Sequence, residues 1–400
     1  MKNVRIGLIG AGHLGRIHAR LLSGMEGVEF VGVADPMPEA RRAVASENNI
    51  AAGRRTVAET ADFRELIPQI DAAIIATPTR FHHAVALELA ERGIHLFVEK
   101  PITSTVAEAR ELVQAARWNN VVLQVGHIER FNPALAPLAA RLAQPRYIEA
   151  VRQGPYSFRS TDISVVLDLM IHDLDIALWL SAERRGARGE RRGSDDAGAA
   201  SDAANTGGAV DNPVRDVAAV GWTVIGGEED FAQARIEFAD GCVANLTASR
   251  VSHRPRRQMQ IWTADAHVEI DFNTRRSTIV EFAANESIAG QQSLAASPGE
   301  RRFETLLPLV EMEAAPQNAL LEEQRDFVEC IRTGREPRVT GEAGLAALET
   351  AHRVLAQISA RRGKQPQSKL PSTEPTAPAI LRGPHWDHQP QAPSRRKEAG

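Results

Sequence analysis

The sequence predicts an α/β fold in two parts, a doubly wound parallel-sheet domain over residues 1–125 and an α+β domain over 126–361. Three observations lead there. Short apolar runs alternate with helix-like stretches through the first 125 residues, a glycine-rich turn joins the first run to the first helix, and beyond Gly126 strand-like runs follow one another directly. Strands spaced by helices pair in parallel with helices on both faces. Strands in direct succession make an antiparallel or mixed sheet.

The elements follow in order. Val4 to Ile9 reads as a buried strand and His13 to Leu22 as a helix; Val28 to Ala34 is the next strand and Pro38 to Glu47 the next helix. Ala72–Ala76, His95–Val98 and Val121–Val125 are further strands, with helices at Arg80–Arg92 and Thr105–Asn119. The second part predicts a helix near Pro133 and an apolar helix from Ile163 to Leu180. Strands then run over Val217–Ile225, Phe231–Glu237, Cys242–Ser249, Met259–Thr263 and His267–Asp271, and helices at Asn318–Thr333 and Gly341–Arg361 close the ordered part. Residues 183–212 read as a disordered insertion and 362–400 as a disordered tail, because neither holds enough apolar surface to offset its ordering entropy. The arginines that open the insertion read as a solvated loop rather than a nucleic-acid patch, since acidic residues follow and no aromatics intervene.

Bulk properties narrow the class. Four hundred residues exceed one ordinary core and fit two domains. With 43% apolar and 24% charged residues the chain reads as soluble and globular, and a net charge of -4 gives no general attraction to nucleic acid or acidic membranes. No apolar run reaches the roughly 18 residues of a membrane helix. The N-terminus enters a strand almost at once, which leaves no room for a secretory signal. Two cysteines, Cys242 and Cys330, exclude a disulfide framework or a four-cysteine metal site and fit a reducing cytoplasm. Each reads as a small buried hydrophobe.

The turn after the first strand is Gly10-Ala11-Gly12-His13-Leu14-Gly15. It follows a strand, opens a helix, and is answered about 20 residues on by Asp35 at the end of the next strand, the context of a Rossmann dinucleotide fingerprint. Gly10 permits the tight turn, Gly12 lets backbone approach a pyrophosphate, and Gly15 allows close helix–sheet packing. His13 and Leu14 start the helix and offer free N–H groups to the phosphates. Asp35 suits two ribose hydroxyls and repels a 2′-phosphate, which favours NAD over NADP; Arg41 and Arg42 lie about a turn into the following helix.

Two further stretches carry chemistry. Val98-Glu99-Lys100-Pro101 ends a strand, on the side of the sheet where ligands bind, so Lys100 points where a nicotinamide would lie. A partly desolvated lysine exchanges protons near neutrality. In Asp168-Leu169-Met170-Ile171-His172-Asp173, Asp168 and His172 stand at i and i+4 and share a helix face. Oxidising an alcohol requires removal of its hydroxyl proton, and histidine titrates in the useful range. A metal centre is not expected: His82 and His83 are adjacent, and His172-Asp173 lacks a third ligand at suitable spacing.

Gly-x-Gly-x-x-Gly, Glu-Lys-Pro and Asp-x-x-x-His, in this order, resemble the Gfo/Idh/MocA oxidoreductase family over roughly residues 1–360. The resemblance implies an N-terminal Rossmann domain plus a C-terminal α+β domain with an open, mainly antiparallel sheet, and dimers or tetramers. It implies a catalytic set of Lys100, Asp168 and His172, with His172 as proton acceptor. Ala76–His82 resembles the family's cofactor-contacting loop, which makes Thr77, Pro78 and His82, together with Glu99, cofactor contacts.

Val125-Gly126-His127-Ile128-Glu129-Arg130-Phe131-Asn132-Pro133, with Ser249-Arg250-Val251-Ser252, resembles the branch of this family that oxidises the 3-hydroxyl of UDP-N-acetylglucosamine. That implies a 3-keto product for a partner aminotransferase, in some bacteria for lipid A. Besides Lys100, the candidate substrate contacts are His127, Arg130, Asn132 and Arg250. Arg250, Arg254, Arg256 and Arg257 offer guanidinium forks to a diphosphate, or form a solvent-facing basic loop. Arg130 also suits pairing with Glu129 or Asp173. An inositol or free-sugar dehydrogenase, and a non-catalytic NAD-dependent sensor or scaffold, remain open alternatives.

Overall fold

The computed structural model describes residues 3–52, 56–135, 138, 141–142, 144–157, 163–191, 212–225, 227–282, 297 and 306–362. Its first sheet contains β1 (Val4–Ile9), β2 (Val28–Ala34), β3 (Ala58–Thr60), β4 (Ala72–Ile75), β5 (His95–Glu99) and β6 (Leu123–Gly126), in the order β3-β2-β1-β4-β5-β6. All five pairings are parallel. The chain winds outward from β1 in one direction and from β4 in the other, so a crevice opens between the C-terminal ends of these two strands.

Helices cover both faces: α1 (His13–Ser23), α2 (Pro38–Ala52), α3 (His82–Glu91) and α4 (Val106–Trp118). Alternation along each strand divides the apolar residues between two cores. Ile6, Leu8, Val33, Ile74 and Phe97 join one, and Ile9, Ala73, Ile75, Leu96 and Val98 the other. Thr105 caps α4 by accepting from the Glu108 N–H while Glu108 bonds back to the Thr105 N–H. β3, only Ala-Glu-Thr, was not anticipated, since three residues without an apolar run carry no strand signal.

The second sheet has eight strands, β7 (Tyr147–Gln153), β8 (Val214–Trp222), β9 (Phe231–Phe238), β10 (Val243–Ser249), β11 (Arg256–Trp262), β12 (Ala266–Asp271), β13 (Arg276–Glu281) and β14 (Leu309–Glu313). Their order is β14-β13-β12-β11-β7-β10-β9-β8. Every pairing is antiparallel except β7 with β10. β7, β13 and β14 escape sequence reading because charged residues interrupt their alternation. One face packs on α5 (Ile171–Arg191), through Ile171, Leu174, Ala177 and Leu178.

Three expectations need correction. Pro133 lies in a turn that follows a short 3-10 segment, Ile128–Phe131, rather than starting a helix. The apolar helix begins as a π turn, Val166–Met170, before α5 proper. α5 continues to Arg191, into the stretch expected to be disordered; 192–211 and 363–400 lie outside the described residues.

Two C-terminal helices, α6 (Ala319–Thr333) and α7 (Gly341–Arg362), return to the first sheet. Phe327 and Val328 of α6 complete the core around Phe97. α7 serves both halves: Leu348 packs under the parallel sheet, while Ala347, Ala351, Val354 and Ile358 pack under the second sheet. Cys242 and Cys330 are buried and not disulfide-bonded, and burial pushes the Cys330 thiol up to about 11.

Candidate active site

The glycine loop sits at the crevice. Gly10 has φ +101°, and a Cβ there would lie 2.6 Å from the Ala76 carbonyl oxygen of the neighbouring strand end. A Cβ on Gly15 would lie 2.0 Å from the Gly10 oxygen, so α1 approaches the loop as closely as glycine permits. Around Gly12 there is open space instead. Gly12 starts α1 with no side-chain cap, so the first-turn N–H groups, including those of the exposed His13 and Leu14, are left for a ligand. This cradle fits the pyrophosphate of NAD.

Asp35 stands at the end of β2 with both carboxylate oxygens engaged. Oδ2 accepts the Ala11 N–H at 2.7 Å and Oδ1 the Met37 N–H at 2.8 Å. The carboxylate is thereby fixed beside the glycine loop, and each oxygen keeps a second lone pair for a ribose hydroxyl. Arg41 reaches back along α2 and donates to the Asp35 carbonyl at 3.1 Å.

Next to the loop lies a cavity of about 510 Å³ whose walls include Leu14, Thr77, Pro78, Lys100 and Asp168. The buried Thr77 hydroxyl has no hydrogen-bond partner among the described residues, so it is available to a bound ligand. His82 has another place. It is 1% exposed, with Nδ1 2.9 Å from the Pro101 oxygen and Nε2 2.9 Å from the Thr77 oxygen. Burial lowers its pKa, so the neutral ring donates through one nitrogen at a time. The expected cofactor contact is a brace instead, fastening the 77–82 loop to the Glu-Lys-Pro turn. Glu99 also lines the cavity, but its carboxylate faces inward to His18, with Oε1 2.8 Å from Nε2.

Lys100 and Asp168 meet at the cavity wall. The ammonium donates to Asp168 Oδ1 at 3.0 Å and to the Asp168 carbonyl at 2.7 Å. Asp168 and His172 were expected to share a helix face; a π turn carries Asp168 instead, and its carboxylate bonds to lysine. His172, on the first turn of α5, stands edge-on to His127 with ring centroids 6.1 Å apart. Burial and the nearby cations Lys100, Arg152 and Arg257 hold the His172 pKa well below the ordinary histidine range. Its Nδ1 has no partner among the described residues, and neither has either nitrogen of His127, which is 1% exposed. Burial lowers the His127 pKa too. Two neutral imidazoles with free nitrogens thus lie side by side, able to accept a proton or bind a hydroxyl.

The remaining substrate candidates are committed within the protein. Arg130 forms a bidentate pair with Asp175, at 2.7 and 2.9 Å, and lies over Trp179. This is a third partner, neither Glu129 nor Asp173. Asn132 donates to Glu129 at 3.0 Å and accepts the Ala134 N–H. Arg250 pairs with the buried Asp230 at 2.7 Å and donates to the Ile163 carbonyl at 2.9 Å. Only Arg254, Arg256 and Arg257 of that cluster are exposed. These residues hold the walls together, and the expectation that Arg130, Asn132 and Arg250 reach substrate finds no free donor in Arg130 Nε or Nη2, which both face Asp175.

Sequence reasoning missed Arg152 and His18. Arg152, 3% exposed on β7, forks onto Asp173 at 3.1 and 2.8 Å and reaches Glu129 at 2.6 Å. It thereby ties the residue after His172 to the 128–131 turn. Opposite it on β11 lies Arg257. A charged residue in an unrecognised strand gave no signal, and His18 looked like one polar position of a helix.

Two family descriptions match the chain. One, "Oxidoreductase family, NAD-binding Rossmann fold", covers residues 4–127, and the other, "GFO/IDH/MocA C-terminal domain", covers 106–269. The chain is 34% identical to a UDP-N-acetylglucosamine 3-dehydrogenase of Acidithiobacillus ferrooxidans over 361 residues, covering 90% of this chain and 99% of that one. The chain belongs to the GFO/IDH/MocA oxidoreductase family. A solved structure of that Acidithiobacillus ferrooxidans enzyme superposes with a TM-score of 0.71, again over 90% and 99% of the two chains. A scyllo-inositol 2-dehydrogenase (NAD(+)) of Bacillus subtilis is 28% identical over 362 residues, 86% of this chain and 93% of its own. Residues 4–127 are accordingly the NAD-binding Rossmann part of an NAD-dependent oxidoreductase.

Proposed function

We propose that this chain oxidises the 3-hydroxyl of UDP-N-acetylglucosamine to a ketone, in a cofactor domain (1–125) joined to a catalytic domain (126–361). The observation that carries the reading is a lysine–carboxylate pair on the wall of the NAD cavity, with neutral histidines beside it, in a chain aligned along 99% of such a dehydrogenase. NAD, when bound, supplies the acceptor for the hydride that leaves the substrate carbon.

The chain's own groups do the rest. Asp168 holds Lys100 through two of its three ammonium hydrogens and leaves one for the substrate oxygen. That cation stabilises the negative charge that develops as the hydroxyl proton departs. His172 accepts the proton, and its depressed pKa keeps it neutral and ready. His127 binds a neighbouring hydroxyl through one of its free ring nitrogens. Holding these groups in place before reaction lowers the entropic barrier.

The 3-keto sugar is a substrate for an aminotransferase making a 3-amino sugar, as in lipid A-type synthesis. Buried cysteines that are not disulfide-bonded fit a cytoplasmic setting. Association into dimers or tetramers is part of the reading, supported by the exposed Leu309, Val310 and Met312 of edge strand β14.

NADH formation across UDP-sugars, free sugars and inositols tests the reading, with thermal protection by UDP as a second measure. Saturation with UDP-N-acetylglucosamine and protection by UDP are expected. Turnover of an inositol without UDP protection would replace this substrate with the inositol alternative.

A further inference from the structure

We propose that His18 is a positioning residue for Lys100, acting through Glu99 and set in place by Gln324 of α6. The proposal rests on the reading of Lys100 as the cation that meets the substrate oxygen.

His18 lies on the inner face of α1, 0% exposed, with its ring edge-on to Phe97 at 5.3 Å. The Gln324 amide nitrogen donates to His18 Nδ1 at 2.7 Å. Nε2 is then the protonated nitrogen, and it donates to Glu99 Oε1 at 2.8 Å. The other oxygen of Glu99 accepts the backbone N–H of Lys100 at 3.2 Å. A chain of three contacts thus runs from a helix near the C-terminus to the peptide unit that carries the lysine, across 306 positions of sequence at its first link.

A histidine that merely filled space would be replaced there by an apolar ring without cost. Here both ring nitrogens are used, in opposite senses, and the acceptor is the inward-facing carboxylate of Glu99, a residue of the cavity wall. Burial alone would raise the Glu99 pKa and empty it of charge; His18 and Lys100 outweigh that and hold it below the usual range. The groups facing Glu99 come from five places: His18 on α1, Lys100 on its own turn, His82 at the head of α3, His127 beyond β6, and Glu323 on α6. Glu323 is fully buried, its oxygens have no partner among the described residues, and burial pushes its pKa well above the carboxylate range. Burial and the neighbouring Glu99 thus disfavour the charged form of Glu323. Glu99 is left as the anion that grips the lysine turn.

The test uses the full chain in two arms. Without NAD, nitrogen NMR of labelled histidine reads the His18 tautomer, and carboxyl NMR reads the Glu99 titration. With NAD and substrate, kcat, KM and the pH profile are measured for His18→Leu and His18→Gln, the glutamine keeping an N–H donor near the Nε2 position. The expected results are an Nε2–H tautomer, and in His18→Leu a Glu99 titration moved to higher pH. That variant should lose on the order of tenfold to a hundredfold in kcat, with the acid limb of the profile moved upward. His18→Gln should keep most of the activity. An Nδ1–H tautomer overturns the proposal, as does an equal, pH-independent loss in both variants. If His18→Leu does not fold, the tautomer and His18→Gln decide. Undiminished turnover in Lys100→Ala would instead sink the role of Lys100, while the NMR arm would still report the His18–Glu99 link.

Discussion

Lys100 and Asp168, 68 positions apart, are joined twice: the ammonium bonds to the aspartate carboxylate at 3.0 Å and to its backbone carbonyl at 2.7 Å. The side chain at the end of β5 is thus aimed by the π turn that precedes α5. Lys100→Ala is expected to lower kcat by roughly 10²–10³-fold, the usual cost of losing one preorganised donor. NAD affinity should stay close to wild type, as measured by quenching of protein fluorescence. Turnover that survived the change would remove Lys100 from the mechanism.

His172 gives a prediction in pH. A proton acceptor works only when neutral, so kcat/KM falls as pH drops through its pKa in the free enzyme. Burial and the surrounding cations disfavour the imidazolium, so this fall should begin below the ordinary histidine value near 6.5. His172→Gln should remove that limb and cost about 10²–10⁴-fold in rate.

The same physics governs stability. His82, His127 and His172 all have pKa values lowered mainly by burial, so the unfolded chain binds more protons than the folded one below about 6.5. Stability should therefore be fully present above that pH and decline as pH falls through and below it. Melting temperatures across pH 5 to 8 measure this, at about half-unit steps. A flat profile would contradict the buried neutral state of these rings.

Much of this was legible beforehand, and the reason differs residue by residue. β2 could be read to its ends because Val28–Ala34 is a compact apolar run, and Gly10, Gly12 and Gly15 announced themselves by spacing. Lys100 and His172 were recognisable because Glu-Lys-Pro and Asp-x-x-x-His are short and local. What escaped was the choice of partners. Asp168 at four residues from His172 suggested one contact, and a lysine 68 positions away took the carboxylate instead. Arg130 could be assigned Glu129 or Asp173 by sequence, and packing selected Asp175 instead. Gln324 carried no signal, since nothing local says it meets α1.

The glycines separate binding from folding. Gly12→Val should leave the melting temperature nearly unchanged, because its φ of -68° suits any residue and its Cβ meets open space. It should weaken NAD binding strongly, since the added groups occupy the phosphate cradle. Gly15→Ala should destabilise the fold by about 1–3 kcal/mol, because its Cβ cannot fit against the Gly10 oxygen. Chemical denaturation and NAD titration of both variants distinguish the two effects.

Arg152 is the buried hub beside His172. Arg152→Met would leave Asp173 and Glu129 as uncompensated buried charges, at a cost of about 3–5 kcal/mol. Added substrate should recover little of that loss in a thermal-shift measurement, because the missing partner is structural.

The return of α6 to the first sheet sets the order in which the protein can be completed. Phe327 lies edge-on to Phe97 at 5.9 Å, and Gln324 reaches His18. A nascent chain leaves the ribosome at about 5–20 residues per second, so the cofactor half waits many seconds for the helix that finishes its core. During that interval the face around Phe97 is open and vulnerable to chaperones, proteases or another copy. The core beneath the glycine loop is closed only when residues 319–333 arrive, so an early segment is ripened by a late one.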